Sequence, residues 1–306
     1  MKIAITGGTG FIGRHLARDL AQRGHEVVLI ARGQDTRDMS VRSLENVTFI
    51  AGNINNVPRL IQAFNGCEAV AICSGTSREQ GSQTYLQLHV NGASNIVAAA
   101  RQAGIQKLVL MSYLRARPNV PSAYHTTKWE GEEIIRKSGL DYTIIKSGLV
   151  YGPGGHLLDN LGELLHKLPV FAKVGFQEKT VRLVAVEDLV AVLRAALLED
   201  RLSKQTVAVL GPEEFPFSSG VRRIAHAIGR KSLLILPLPI TFHRLLAWFS
   251  ERFMPKPLVA ASQVQMLAEG SNKPLPDSQM PPDDLIPTTR FSVDQIRKGL
   301  PDSREE

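Results

Sequence analysis

Apolar residues fall in short runs that alternate with longer amphipathic stretches along the first two thirds of the chain. Lys2–Thr6 and Glu26–Ala31 read as buried strands flanking a helix from about Phe11 to Arg23, which Gly24 stops. Val47–Ile50 and Ala69–Cys73 are further short β-rich runs, with a helix over Val57–Phe64 between them. One long helix is predicted from about Thr84 to Ala103, then a strand at Lys107–Ser112, a helix from about Ala123 to Lys137 and a strand at Asp141–Lys146. Strands that regularly alternate with helices imply right-handed crossovers and a parallel sheet covered on both faces.

Beyond Gly148 the pattern loosens. Val181–Val186 reads as a strand, Glu187–Leu198 as a helix that the Glu187-Asp188 pair starts, Thr206–Leu210 as a last strand, and Ser218–Gly229 as a helix. From Pro237 onward prolines accumulate (among them Pro255, Pro257, Pro281 and Pro282), and a short helix over Val293–Gly299 closes the chain. The expected fold is α/β, a Rossmann-type doubly wound parallel sheet with a small C-terminal lobe. Residues 1–230 would form the dinucleotide-binding domain, with cleft segments interleaved from about 150, and residues 231–306 the proline-rich lobe.

Composition narrows the functional classes. An apolar share of 43% with 21% charged residues is that of a soluble globular protein. The net charge of +7 comes without a basic run or zinc-finger spacing, so a nucleic-acid partner is not expected. Cys67 and Cys73 sit in or beside an apolar run and read as buried thiols, with no metal-ligand spacing around them. The first strand starts at Lys2, so no leader is expected, and a cytoplasmic location follows.

The chemistry begins at Thr6-Gly7-Gly8-Thr9-Gly10-Phe11-Ile12-Gly13. Gly7, Gly10 and Gly13 recur every third residue between a strand and a helix. Such a turn brings peptide N–H groups against a dinucleotide diphosphate, where the free amides of the helix start favour anionic oxygens. At the end of the second strand, Ala31-Arg32-Gly33 stands where an acidic residue would accept the ribose hydroxyl of NAD. A guanidinium suits a 2′-phosphate instead, which favours NADP(H) over NAD(H). Asp35 and Asp38 lie close enough to blur that preference, and Arg32 stacked on adenine would serve either cofactor.

Tyr124 and Lys128 are four residues apart, on one helix face. An ammonium beside a phenol lowers the phenol pKa, and the phenol can then exchange a proton with a carbonyl or hydroxyl oxygen. Ser112, at a strand end, is expected to hold that oxygen. Ser112, Tyr124 and Lys128 thus form the candidate catalytic set.

These features together resemble the short-chain dehydrogenase/reductase superfamily. The segments Gly7–Gly13, His89-Val-Asn-Gly-Ala-Ser-Asn95, Tyr124–Glu132, Val150-Tyr-Gly-Pro-Gly-Gly155 and Val184-Ala-Val-Glu-Asp-Leu189 are similar to its atypical, extended branch, which contains the NAD(P)-binding accessory subunit of respiratory complex I. The likeness runs over residues 1–230 and more loosely through the proline-rich end. It implies phosphate contacts from Gly7, Thr9, Gly10, Phe11, Ile12 and Gly13, adenosine-end contacts from Arg32, Asn53 and Ile54, and ribose and nicotinamide contacts from Ser74, Gly75, Lys128, Lys146, Ser147, Gly148 and Leu149. Asn53 stands where Asp is usual, Ser147 replaces a frequent proline, and the Ser112-to-Tyr124 spacing is about one residue short. The branch also holds sugar-nucleotide epimerases and quinone-related or assembly proteins, and many members are thought to bind the cofactor without turning over substrate.

Two functions are therefore expected in competition. One is an NADP(H)-dependent oxidoreductase or epimerase acting on a small carbonyl or hydroxyl compound. The other is a non-catalytic dinucleotide-binding accessory or assembly protein of a respiratory or quinone-related complex. A substrate would lie between the sheet's carboxyl ends and the lobe, against Tyr151–Leu165 and the Phe171–Arg182 stretch, with Arg182 able to meet an anionic group. Thr241–Met254 reads as a helix with Leu245, Trp248, Phe249 and Phe253 near one face, expected to pack inward; peripheral membrane association is the alternative.

Overall fold

A computed structural model describes residues 1–32, 39–81, 83–254 and 260–301. In chain order the elements are β1 (Lys2–Thr6), α1 (Phe11–Gln22), β2 (Glu26–Ala31), β3 (Val47–Ala51), α2 (Val57–Phe64) and β4 (Ala69–Ile72). A π-helical stretch (Leu86–Asn91) then runs into α3 (Gly92–Ala103), followed by β5 (Lys107–Tyr113), α4 (Ala123–Arg136) and β6 (Asp141–Ser147). Next come β7 (Val150–Tyr151), α5 (His156–Lys167), β8 (Val170–Val174), β9 (Thr180–Val181), β10 (Val184–Ala185) and α6 (Val186–Leu198). The remainder is β11 (Gln205–Val209), β12 (Phe215–Pro216), α7 (Phe217–Ala227), β13 (Leu234–Leu238), α8 (Ile240–Phe253), α9 (Ala261–Glu269) and α10 (Val293–Gly299).

These elements group into two compact units. The first comprises residues 1–147, 187–209 and 274–286; the second comprises 148–186, 210–273 and 287–306. In the first, seven strands form one sheet in the order β11-β6-β5-β4-β1-β2-β3, every pairing parallel. This is the expected doubly wound parallel sheet. β5 is buried along its whole length, as a parallel strand covered on both faces must be. The strand order reverses between β1 and β4, so the turns that follow them open side by side, which is where such sheets bind ligands.

Local sequence explains most boundaries. Asn56 caps α2, its side chain accepting from Arg59 N–H at 3.0 Å, with Pro58 in the first turn. Leu60, Phe64, Ile96 and Leu108 belong to the core that α2 and α3 close over the sheet. The single helix expected over 84–103 is instead a π-helical turn joined to α3. A side-chain carbon at Gly92 would stand 2.4 Å from Ile54 Cδ1, so a larger residue there would require the Ile54 side chain to shift. Residues 274–286 return to the edge strand β11: Gln279 donates to Thr206 O and accepts from Ala208 N–H, which protects an otherwise open edge.

The second unit has its own core, built on Tyr151, Leu158, Phe215, Val221, Phe291 and Ile296. The strand expected over Val181–Val186 is two short strands, β9 and β10, in different two-stranded sheets. β8 pairs in parallel with β13, and α8 follows after Pro239. The inward packing expected for the apolar face of α8 is overturned. His243, Ala247 and Ser250 face inward, while Leu245, Trp248, Phe249 and Phe253 are exposed. His243 fits the inward position because its ring nitrogens lie 3.2 Å from Pro239 O and 3.4 Å from Ala172 O.

Candidate active site

The glycine turn joins β1 to α1. Gly7 has φ +70°, and a carbon built on it would stand 2.7 Å from Ser74 N, so only glycine lets the turns after β1 and β4 approach this closely. A carbon on Gly13 would stand 2.3 Å from Gly7 O, which is how α1 starts hard against the turn. Gly7 N–H and Gly8 N–H donate to Ile30 O at 2.9 and 3.3 Å, tying the turn to the end of β2, where Arg32 is exposed. Arg14 N–H, bonded to Gly10 O at 3.0 Å, is the first amide of the α1 ladder. The amides of Phe11, Ile12 and Gly13 precede it and have no intrahelical acceptor. Such a cradle, too narrow for a side chain and rimmed by helix-start amides, fits a diphosphate.

After β4 the chain passes Ser74, whose hydroxyl lies 3.2 Å from Thr6 Oγ1, and then Gly75. A carbon on Gly75 would stand 3.1 Å from Lys128 Nζ, so α4 delivers the ammonium to this backbone. Lys128 donates to Met111 O at 3.1 Å, and burial lowers its pKa to about 8 against the opposing pull of Glu132 and Cys73. The neighbouring Cys73 thiol is pushed up to about 12 by burial, so it is no thiolate.

Tyr124, one turn before Lys128, lies in a ring cluster with Tyr85, His89, Tyr113 and His125 at centroid distances of 5.4–5.8 Å. Burial, followed by the Tyr113 and Tyr85 phenols, holds its pKa well above the ordinary phenol value. The lowering expected from Lys128 is therefore not found. Desolvation in this aromatic cluster wins, and the phenol stays protonated.

His89, to which the sequence assigns no role of its own, lies beside Lys128 in this site. Its Nδ1 lies 3.0 Å from Thr127 Oγ1, and that hydroxyl donates its own proton to Ala123 O at 2.7 Å. Nδ1 is therefore the donor, leaving Nε2 as an acceptor lone pair. Nε2 is buried and looks toward Gly75, no described group meets it at full hydrogen-bond geometry, and the Thr76 backbone is near enough to raise the ring pKa against the larger effects of burial and Lys128. Burial, then Lys128, drives the ring pKa down to about 2, so it is neutral. His89, Ser74 and Lys128 line a cavity of about 10 Å³, room for about one water. A buried acceptor beside a glycine backbone also fits a ligand hydroxyl. The sequence clue is the place of His89 between Leu88 and Val90, at the start of the family-like segment His89–Asn95.

Other expected contacts are placed differently. Ser112 donates to Glu132 Oε1 at 2.5 Å, so its hydroxyl proton is engaged by a buried carboxylate and not directed to a substrate oxygen. Lys146 Nζ is wholly buried and held by Ala116 O, Glu132 Oε2 and Asp277 Oδ2 at 2.9, 3.1 and 3.3 Å. With three acceptors taken, its ammonium has no donor left to turn toward a cofactor. Burial raises the Glu132 pKa, with Lys146 the largest opposing influence. Ser147 is buried too, its hydroxyl unpartnered among the described residues. The Ile54 side chain belongs to the core, and Asn53 is exposed, its Oδ1 accepting from Asn55 N–H. Thr9 is buried in the turn itself. Gly148 and Leu149 belong to the second unit, where a carbon on Gly148 would stand 3.2 Å from Ser271 Cβ and Leu149 O accepts from Val184 N–H. Gly33, Asp35 and Asp38 lie outside the described residues.

Comparison with known proteins bears on the family and the fold. A family profile described as NAD(P)H-binding matches residues 7–156. The chain is 31% identical over 238 residues to a ceramide reductase of Caulobacter vibrioides, covering 78% of this chain and 74% of that one. It is 24% identical to the mitochondrial NADH-ubiquinone oxidoreductase 40 kDa subunit of Neurospora crassa, over 69% of this chain and 56% of the subunit. The Bordetella bronchiseptica enzyme WbmH, solved in complex with NAD+, superposes with a TM-score of 0.72 over 97% of this chain and 96% of its own, and at 18% identity that likeness speaks for the fold. The chain belongs to the atypical short-chain dehydrogenase/reductase family, as an NAD(P)-binding protein of the branch that resembles the complex I accessory subunits.

Proposed function

We propose that the protein is a reductase that uses NADP(H) to reduce a carbonyl compound, with Tyr124 as the proton donor. The observation that carries this reading is a protonated, desolvated phenol on α4 one helical turn before Lys128, whose own ammonium lies beside Gly75. A phenol held protonated rests in the state that carbonyl reduction consumes, whereas alcohol oxidation would need the phenolate that burial disfavours. The bound dinucleotide supplies the hydride. Tyr124 Oη gives its proton to the carbonyl oxygen, yielding an alcohol and a phenolate that water reprotonates. Lys128 and His89, which line the small cavity beside Ser74, would hold the ribose hydroxyls, and the Gly7–Gly13 amides would hold the diphosphate. Arg32 meets the 2′-phosphate at the exposed end of β2. The name of the Caulobacter relative, a reductase, supports the same direction.

A second reading is favoured by one specific observation: Ser112, the expected holder of the substrate oxygen, is committed to Glu132. In that reading the chain binds the dinucleotide as an accessory or assembly protein, as the respiratory subunit it resembles would suggest. Tyr124→Phe separates the two. With NADPH and a panel of small and lipid-borne ketones, the substitution should lower kcat by about 10²–10⁴ while NADPH affinity stays within about threefold. Turnover that survives unchanged removes Tyr124 from the chemistry. Saturable NADPH binding with no turnover by the unaltered protein favours the accessory reading.

A further inference from the structure

A surface helix in water turns its apolar side to the core and its polar side out. α8 does the reverse. Its inward side is His243, Ala247 and Ser250, with both His243 ring nitrogens within reach of backbone carbonyls and the Ser250 hydroxyl donating to Ala247 O. Its outward side carries Phe242, Leu245, Trp248, Phe249 and Phe253, each between 48% and 64% exposed. The aromatic residues touch one another there: Phe249 and Phe253 lie 4.7 Å apart, Trp248 and Phe253 6.2 Å. Leu234 and Leu236 of β13, which leads into the helix, are exposed as well. A face this apolar, turned to solvent, marks a binding surface.

Charge identifies the occupant. On α8 the cations are Arg244 and Arg252 and the single carboxylate is Glu251, whose Oε1 accepts from Ala261 N–H, while Lys231 is exposed shortly before β13. The Arg252 guanidinium lies 5.8 Å from the Phe253 ring centroid, so the cation sits among the aromatic residues. Arginine stems that cover apolar surface while the head stays wet, next to Trp and Phe, match the boundary between acyl chains and anionic headgroups.

We propose that the outer face of α8, continued by β13, docks this protein on an anionic phospholipid surface. The inference is independent of the catalytic reading. The whole protein should co-sediment with vesicles of phosphatidylglycerol and phosphatidylcholine at low salt. Pure phosphatidylcholine, or several hundred millimolar salt, should lower the bound fraction at least tenfold, because screening removes the cationic contribution. The double substitution Trp248→Glu with Phe249→Glu should have the same effect, whereas Met280→Glu, an exposed apolar residue elsewhere, should not. Both replaced residues are more than half exposed, so the fold should tolerate the charges, which thermal unfolding checks. As a second readout on the unaltered protein, bromine-labelled acyl chains should quench Trp248 fluorescence. No binding to anionic vesicles at low salt, or binding that the double substitution leaves intact, overturns the proposal. So does a dimer in solution that the same substitution dissociates, since the face would then be covered by a second copy.

Discussion

The Lys146 ammonium lies 3.1 Å from Glu132 Oε2, and neither side chain reaches solvent. This pair ties β6 to α4, the helix that carries Tyr124 and Lys128. Ser112 donates to the other Glu132 oxygen, Arg136 stands 3.0 Å from Oε2, and Asp277 reaches Lys146 from the returning segment. Such a cluster is stable only when every member is satisfied, because removing one partner leaves a charge stranded away from water.

Lys146→Met should therefore destabilise the fold by about 3–5 kcal/mol, the range for a broken buried pair. Dinucleotide affinity, measured on the folded fraction, should change less than about threefold. A large loss of affinity without loss of stability would return Lys146 to the cofactor contacts that the family resemblance implied.

Gly13→Ala forces a carbon to within 2.3 Å of Gly7 O, a backbone atom that cannot swing aside. Destabilisation of about 1–3 kcal/mol, typical of overpacking, should accompany loss of NADPH binding in calorimetry. Unchanged binding would mean that the turn is not the diphosphate site.

Lys128 titrates at about 8 in the fold against 10.5 as the reference value. Between these pH values the unfolded chain binds more protons, so this group makes stability rise with pH from about 8 to about 10.5. Dinucleotide affinity should move the opposite way, falling several-fold from pH 7 to pH 9 as the ammonium loses its proton. Lys128→Met should bind more weakly with a flat profile over that range. Calorimetric titrations at four or five pH values distinguish the two, and a flat profile in the unaltered protein refutes the assignment.

Arg32→Ala tests the cofactor preference. A lost charge-assisted bond to a 2′-phosphate should weaken NADPH by on the order of ten- to a hundredfold and leave NADH nearly unaffected. Equal losses for both would indicate adenine stacking.

Much of the first unit was readable from the chain. α2, β1 and β2, and α10 in the second unit, begin and end where periodicity, caps and glycines place them, because those signals act within a few residues. The glycine turn was readable for the same reason. The polar residues were harder. Ser112 and Lys146 sit at strand positions that fit a cofactor pocket equally well, and only the arrival of Glu132 from α4 and Asp277 from the far end of the chain takes up their polar groups.

The order of residues by itself determined the alternation of strands and helices, the cradle at Gly7–Gly13 and the spacing of Tyr124 and Lys128, all of which rest on contacts between near neighbours in the chain. Tertiary structure alone decided which polar groups were left with a partner, how far burial moved their pKa values, and which side of α8 faces water. Those outcomes depend on long-range packing, where desolvation and hydrogen bonding to distant segments outweigh any preference a short stretch of chain can express.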